Sequence, residues 1–218
     1  MIINRFAEIR GISLTEIPGQ NKLAYALSTL DGFYDLLEWQ ETGGHPGGTI
    51  SFYNLETGQV DTPFEKKRNV LYGQVIFAKG GYYFLKCDYE KKEIVLYKYL
   101  IDGSVQAITT IDGNQVDLYN LLVQGEDVHI TSQDEEFICY YPEKFSFKMD
   151  PHESAILISD GKVYLNRWIE EGWDYENNRG TDEYKLYDML VIRDFNGNIL
   201  SEEIGVLDQT FDGRWWLV

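Results

Sequence analysis

A glycine turn followed by an apolar or alternating segment recurs five times along this chain. The copies centre on five glycines: Gly32, Gly81, Gly125, Gly161 and Gly213. The steps between these glycines are 49, 44, 36 and 52 residues. All-β repeats of roughly 40–50 residues are typical of the blades of a β-propeller. This spacing constrains the fold more than any other feature of the sequence.

A second turn follows the first in four of the five units. Gly58, Gly103 and Gly197 mark it in three of them, and Pro142 marks it in another. Thr-Gly, Asp-Gly and Asn-Gly pairs suit tight hairpins because these turns need positive φ angles. Two hairpins give four antiparallel strands, which is the content of one propeller blade. In the first unit, the segment from Tyr34 to Trp39 is predicted to be a strand.

We therefore predict an all-β chain that folds as one five-bladed β-propeller domain over residues 1–218. The first four blades are predicted at residues 20–65, 66–112, 113–150 and 151–206. The last copy reaches only its second strand at Val218, so we expect residues 2–19 to complete a fifth blade with residues 207–218. Such pairing would remove an open sheet edge. A large β-sandwich is the alternative, because short strands with glycine turns also suit that fold.

The chain is strongly acidic, with 19 Lys and Arg against 36 Asp and Glu and a net charge of −17. This charge repels nucleic acids and anionic membrane surfaces, and it attracts a basic protein partner. The start of the chain has no apolar run of the kind found in secretory signals. Cys87 and Cys139 have no metal-binding spacing and are predicted to be reduced thiols. We expect a cytoplasmic protein that binds neither nucleic acid nor membranes.

Two long connections between predicted strands are the best candidates for a binding surface. One runs over residues 39–48 and the other over residues 168–183, and both are expected on the same face of a propeller. Long loops on a rigid scaffold commonly carry binding residues. The second loop places three aromatic residues among acids, and Trp and Tyr dominate interface hot spots. Shorter connections are expected to add further acids to this face. The predicted binding residues are Trp39, His45, Asp88, Glu135, Trp168, Glu171, Trp173, Asp174 and Tyr175.

Sequence signatures of catalysis are missing from the chain. His45, His129 and His152 do not have the spacing of zinc ligands, and neither a nucleophile elbow nor a phosphate-binding loop occurs. We therefore predict no catalytic residue, no metal site and no cofactor.

The predicted function is a non-enzymatic binding module that presents an acidic, aromatic face to a basic protein. A lectin-like carbohydrate-binding propeller is one alternative, because the chain is similar in blade number and size to the small five-bladed lectins. A glycoside hydrolase with a pair of carboxylates on the propeller axis is the other. That alternative resembles the five-bladed glycosidases in architecture only.

Overall fold

The computed structural model describes residues 3–218, which are nearly all β, so the predicted all-β class is confirmed. These residues form five antiparallel sheets. The first four follow one another along the chain, and in each of them the main strands pair in chain order. The fifth is a hairpin.

The strands of the first sheet are β1 (Thr15–Glu16), β2 (Leu23–Leu27), β3 (Ile50–Asn54) and β4 (Val60–Asp61). The second sheet contains β5 (Val70–Tyr72), β6 (Ile76–Ala78), β7 (Gly81–Asp88), β8 (Glu93–Tyr99) and β9 (Val105–Asp112). The third contains β10 (Leu122–Gln124), β11 (His129–Gln133), β12 (Glu136–Tyr141) and β13 (Phe145–Lys148). The fourth contains β14 (Glu153–Ser159), β15 (Lys162–Asp174), β16 (Arg179–Asp194) and β17 (Ile199–Ile204). The hairpin contains β18 (Leu207–Gln209) and β19 (Trp215–Leu217). Helix α1 (Asp35–Glu38) and two 3₁₀ turns (Trp39–Thr42 and Gly113–Gln115) complete the elements.

Most of the predicted glycine turns join paired strands. Gly81 opens the second strand of a hairpin, and Gly125, Gly161 and Gly213 lie in hairpin turns. At one of them, Asp160 and Gly161 have φ angles of 52° and 71°. Two successive positive φ angles are what a type I′ turn requires.

The turn at Gly32 leads to a helix, so the predicted strand from Tyr34 to Trp39 is wrong. Phe33 and Leu36 lie three residues apart and both enter the same buried cluster. A strand would direct them to opposite faces, whereas one helical turn directs them to the same side. The Gly32 N–H also donates to Asp35 Oδ2 at 2.6 Å, which fixes the start of the turn.

The apolar core lies between successive sheets. On β7, Phe84 belongs to a cluster with residues of the first sheet, while its neighbour Leu85 belongs to a cluster with residues of the third. Another cluster joins Phe137 of the third sheet to Val163 of the fourth. The second sheet is therefore covered on both faces, which explains why the sequence of β7 is an almost continuous apolar run.

The N-terminal segment belongs to the first sheet, so its predicted pairing with the C-terminal strands is wrong. Its strand, Thr15–Glu16, pairs with β2. Upstream of it, the Phe6 ring packs edge-on against Tyr53, 4.8 Å between centroids. A backbone hydrogen bond joins the N-terminal segment to the terminal hairpin, from the Gly19 N–H to the Phe211 carbonyl at 2.9 Å. Residue 2 of the predicted segment lies outside the described residues, and within those described the terminal sheet has two strands.

Candidate functional site

The fourth sheet extends into a long β-hairpin, which we call the arm (residues 168–187). Strand β14 pairs with β15 as far as Arg167, and β17 pairs with β16 from Met189 onward. Between those points β15 and β16 pair with each other. The arm therefore projects from the sheet as a two-stranded ribbon, about 20 Å long from Trp168 to Asp174 at 3.3 Å per residue.

The arm replaces the loop predicted over residues 168–183, so the loop prediction is wrong. Its turn is closed by Asp174, whose Oδ1 accepts the backbone N–H groups of Glu176 and Asn177 at 3.1 Å. Asn178 completes the turn with a φ of 50°. Asn tolerates this left-handed conformation better than most residues. The strands pair up to the turn, with a bulge next to Gly172.

Three aromatic side chains of the arm, those of Trp173, Tyr184 and Tyr187, are held in place by contacts within it. The rings of Trp173 and Tyr184 meet edge to face, 5.6 Å between centroids. The Tyr184 hydroxyl donates to Glu170 Oε1 at 3.0 Å, and the Tyr187 hydroxyl donates to Glu171 at the same distance. These contacts restrict the aromatic rotamers before any ligand arrives.

The arm exposes apolar surface together with negative charge. Tyr175 is 81% exposed at the tip, Leu186 is 61% exposed and Trp168 is 41% exposed at the base. Residues 168–187 contain six acidic and two basic side chains. Hydrogen bonds from Asn177 lower the pKa of Asp174, and the hydrogen bonds to Glu170 and Glu171 raise the pKa values of Tyr184 and Tyr187. At neutral pH the arm therefore presents the neutral phenols of Tyr184 and Tyr187 and the ionised carboxylate of Asp174.

A network of charged side chains, which the sequence analysis missed, lies next to the base of the arm. The Arg193 guanidinium donates to Glu153 at 2.9 Å and 3.1 Å and to Asp150 at 2.7 Å. The neighbouring Arg167 binds Asp150 at 3.4 Å and also Glu202. Burial disfavours the charge of Arg193, but its carboxylate partners outweigh that effect and raise its pKa. Trp168 begins the arm directly after Arg167, and its ring packs on His152 with 3.7 Å between centroids.

The connection between β2 and β3 is ordered around a buried histidine. His45 is 1% exposed, and its Nδ1 accepts the Gly47 N–H at 2.8 Å. The ring proton is therefore on Nε2, which donates to Asp31 Oδ2 at 2.7 Å. Asn69 ties this connection to the second sheet, because its Oδ1 accepts the His45 backbone N–H at 2.7 Å. Both ring nitrogens of His45 have protein partners, which hold the ring in place within this connection.

Asp88 and Glu135 are placed at the corresponding connections of the second and third sheets. Asp88 is buried and accepts hydrogen bonds from Lys67 Nζ at 2.9 Å and from the Lys91 N–H at 3.2 Å. Burial tends to raise the pKa of Asp88, but these donors outweigh it and the pKa is lowered. Glu135 is exposed, and its backbone carbonyl accepts the Met149 N–H.

The predicted site residues fall into separate groups. Five of them lie together on the arm: Trp168, Glu171, Trp173, Asp174 and Tyr175. Trp39 and His45 form a second group, with ring centroids 5.1 Å apart. Asp88 is held in an ion pair at the end of β7, and Glu135 is in a short turn. The arm is therefore the strongest candidate for a binding surface.

A cavity of about 270 Å³ lies where β6, β10, β14 and the terminal hairpin come together. It is lined by residues at or next to β1, β6, β10, β14 and the terminal hairpin. Its lining includes the amide side chains of Gln74, Gln124 and Gln209, and one carboxylate, Glu126.

Neither a metal-binding cluster nor a membrane-spanning helix is found in the part of the chain that the structure describes, and comparisons with known proteins assign the chain to no family. Within residues 3–218, no three His, Cys, Asp or Glu side chains are grouped so that they could hold a metal ion. No helix in the same residues is long and apolar enough to cross a membrane. No protein-family model matches the chain, and no curated protein matches its sequence.

Proposed function

We propose that this chain is a non-enzymatic binding module that holds a basic protein partner through its arm. The observation that carries the proposal is a projecting β-hairpin with exposed Trp168, Tyr175 and Leu186 set among acidic side chains. Exposed aromatic residues with polar neighbours are typical of interface hot spots. A two-stranded ribbon outside the body of a sheet contributes little to the core, which favours a role in binding.

The arm is suited to binding because three of its aromatic side chains are already ordered beside the exposed ones. Tyr184 and Tyr187 are anchored by Glu170 and Glu171, and Trp173 packs on Tyr184. Each rotamer-rich side chain that must be immobilised at an interface costs about 0.5–1.5 kcal/mol. Pre-ordered aromatic side chains avoid part of that cost.

The charge of the chain favours a basic partner over an acidic one. The net charge of −17 and the acidic excess of the arm have the same sign. Complementary charge accelerates encounter between proteins, and like charge suppresses incorrect partners. We also propose a cytoplasmic location, because the free thiols of Cys87 and Cys139 suit a reducing compartment.

We infer further that the sheets are arranged as the blades of a five-bladed propeller. Two observations support this arrangement: the core lies between successive sheets, and one cavity is lined by β6, β10, β14 and the terminal hairpin, which belong to four different sheets. The hydrogen bond from Gly19 to Phe211 would close the ring. A β-sandwich would instead stack two sheets face to face. A crystal structure with two stacked sheets would overturn the inference.

The two alternative functions have less support. Five equivalent sugar pockets would need connections of similar length in every blade. The β11–β12 connection is short (residues 134–135), however, whereas the β2–β3 connection is long (residues 28–49). A glycosidase would need a pair of carboxylates near the axis. The cavity lining contributes Glu126 as its carboxylate.

The proposal can be tested by capturing partners with the full chain and measuring the affinity of each purified partner. Replacing Tyr175 and Leu186 together with serine should weaken binding by about tenfold or more, because both side chains belong to the exposed apolar surface. The matched control replaces Leu30 and Leu55 with serine, since both are exposed and lie outside the arm. Equal affinity for the two variants would overturn the proposal.

A second pair of variants tests the choice of a basic partner. Glu176→Lys with Glu183→Lys reverses two exposed charges on the arm, and Glu56→Lys with Glu65→Lys makes the same change elsewhere. The arm variant should slow association more than the control does, and added salt should reduce the difference. An acidic partner that binds faster to the arm variant would refute the electrostatic part of the proposal.

A further inference from the structure

The cavity between β6, β10, β14 and the terminal hairpin lies well away from the arm tip. On that sheet the cavity is lined by residues 155–157 of β14, and Ala155 pairs with Leu165. Strand β15 then runs nine residues further to Asp174 at the arm tip, a distance of about 30 Å. A ligand in the cavity would therefore leave the arm free to bind.

Amide side chains dominate the polar lining of this cavity. Gln124 donates to Thr131 Oγ1 at 2.9 Å, and Gln209 donates to the Gly213 carbonyl at 3.1 Å. Each of these bonds anchors the amide within its own hairpin. The carbonyl oxygens of both amides, and the whole amide of the exposed Gln74, have no hydrogen-bond partner among the described residues. The cavity therefore offers both donors and acceptors, which is what a hydroxyl group needs.

Aromatic and aliphatic surface completes the lining. Trp215 pairs directly with Gln209 across β18 and β19, which places both side chains on the same face of the hairpin. Phe77 and Ile156 add apolar surface to the cavity. A few placed polar groups on a mainly apolar lining are typical of small-molecule sites.

The charge and size of the cavity restrict the class of ligand. An anion would be repelled by Glu126 and by the net charge of −17. A cation would find a single carboxylate here and would leave the amide N–H donors unpaired. The volume of about 270 Å³ is just below the range of about 300–1,000 Å³ for drug-sized ligands, so one ring fits better than a chain of rings.

We propose that this cavity binds one neutral monosaccharide. Its hydroxyls bond to the amides of Gln74, Gln124 and Gln209 and to the Glu126 carboxylate, and one C–H face of the sugar ring lies on Trp215. The site is distinct from the arm and does not depend on the proposed protein partner.

The test uses the ¹⁵N-labelled full chain and a panel of glucose, galactose, mannose, fucose and N-acetylglucosamine, with choline as the cationic comparison. At least one sugar should shift the Trp215 indole and glutamine amide signals in a saturable way. Trp215→Leu should weaken that binding by about tenfold, because it removes the aromatic surface. Trp216→Leu is the matched control, since Trp216 is the exposed neighbour on the alternate face of β19.

Gln74→Leu provides a second variant that does not alter the buried core, because Gln74 is exposed. It should weaken sugar binding by about threefold to tenfold, as expected for the loss of hydrogen bonds. Gln106→Leu, on the exposed outer strand β9, should leave affinity unchanged. The proposal is overturned if none of the sugars gives saturable shifts, if choline binds in their place, or if binding is unaffected by both Trp215→Leu and Gln74→Leu. The arm variants test partner binding, and the Trp215 and Gln74 variants test sugar binding. Failure of one proposal can therefore be distinguished from failure of the other.

Discussion

Replacing Arg193 with methionine should destabilise the fold because it leaves a buried carboxylate without its main partner. The Glu153 side chain is fully buried and accepts two hydrogen bonds from Arg193. Its remaining contacts are the Asp150 backbone N–H at 2.9 Å and the Arg167 guanidinium at 3.8 Å. Methionine keeps much of the length of arginine and removes the charge.

The magnitude follows from how far the remaining groups can compensate. Removing one partner of a buried ion pair costs about 3–5 kcal/mol. Because Arg167 and one backbone N–H still face Glu153, we expect the low end of this range, about 3 kcal/mol. In a domain of this size each kcal/mol lowers the melting temperature by about 2–4 °C, so the variant should melt about 6–12 °C lower.

Urea and thermal unfolding followed by circular dichroism measure this change. Arg193→Met combined with Glu153→Leu should recover much of the loss, because the double variant has no unpaired buried charge. Arg214→Met is the matched control, since the Arg214–Asp212 pair is exposed and surface pairs contribute little. A cost below about 1 kcal/mol for Arg193→Met, or a double variant as unstable as the sum of its two single variants, would refute the reasoning.

Three further predictions concern other parts of the fold. Gly47→Ala should be far more destabilising in thermal unfolding than Gly80→Ala. Both glycines have positive φ, but an added Cβ would lie 1.9 Å from a backbone carbonyl oxygen at Gly47, whereas it would lie in open space at Gly80. Gly80→Ala should therefore cost only the strain of the left-handed conformation, about 1–2 kcal/mol. Because the pKa of Asp88 is lowered in the folded state, its carboxylate stabilises the fold at pH values above the ordinary carboxyl pKa of about 4, and this stabilisation is lost as the pH falls through the folded value. Asp88→Asn should therefore lose less stability than the parent over that pH range in acid unfolding. Burial raises the pKa of Cys87 and of Cys139 to about 12, so neither thiol should react with a thiol reagent at neutral pH until the chain is unfolded in urea.

The hairpin turns were predictable because their chemistry is local. An Asp-Gly pair such as Asp160-Gly161 favours two positive φ angles regardless of the rest of the chain. The helix after Gly32 was not predictable in the same way, because the alternation around Phe33 and Leu36 is too short to separate a strand from one helical turn. What decides between them is the cluster that both residues enter, and its other members come from distant strands.

The arm and its base show a different limit of sequence analysis. Five residues of the arm were grouped from the sequence alone, because Trp and Tyr occur there among acids. Their strand structure was missed because both faces of the arm meet water, and a core-facing apolar alternation is absent. Glu153 and Arg193 are 40 residues apart on β14 and β16, which are separated by β15, so no local sequence pattern indicates their contact.

The arm depends on the sheet from which it projects. An isolated two-stranded hairpin is marginally stable in water, yet β15 and β16 continue without interruption from the fourth sheet into the arm. Within that sheet both strands are flanked by neighbours, and Arg167 and Arg193 join them to Asp150 at the base. The arm therefore begins where β14 and β17 stop pairing, and the pairing of β15 with β16 continues from there to the turn that exposes Tyr175.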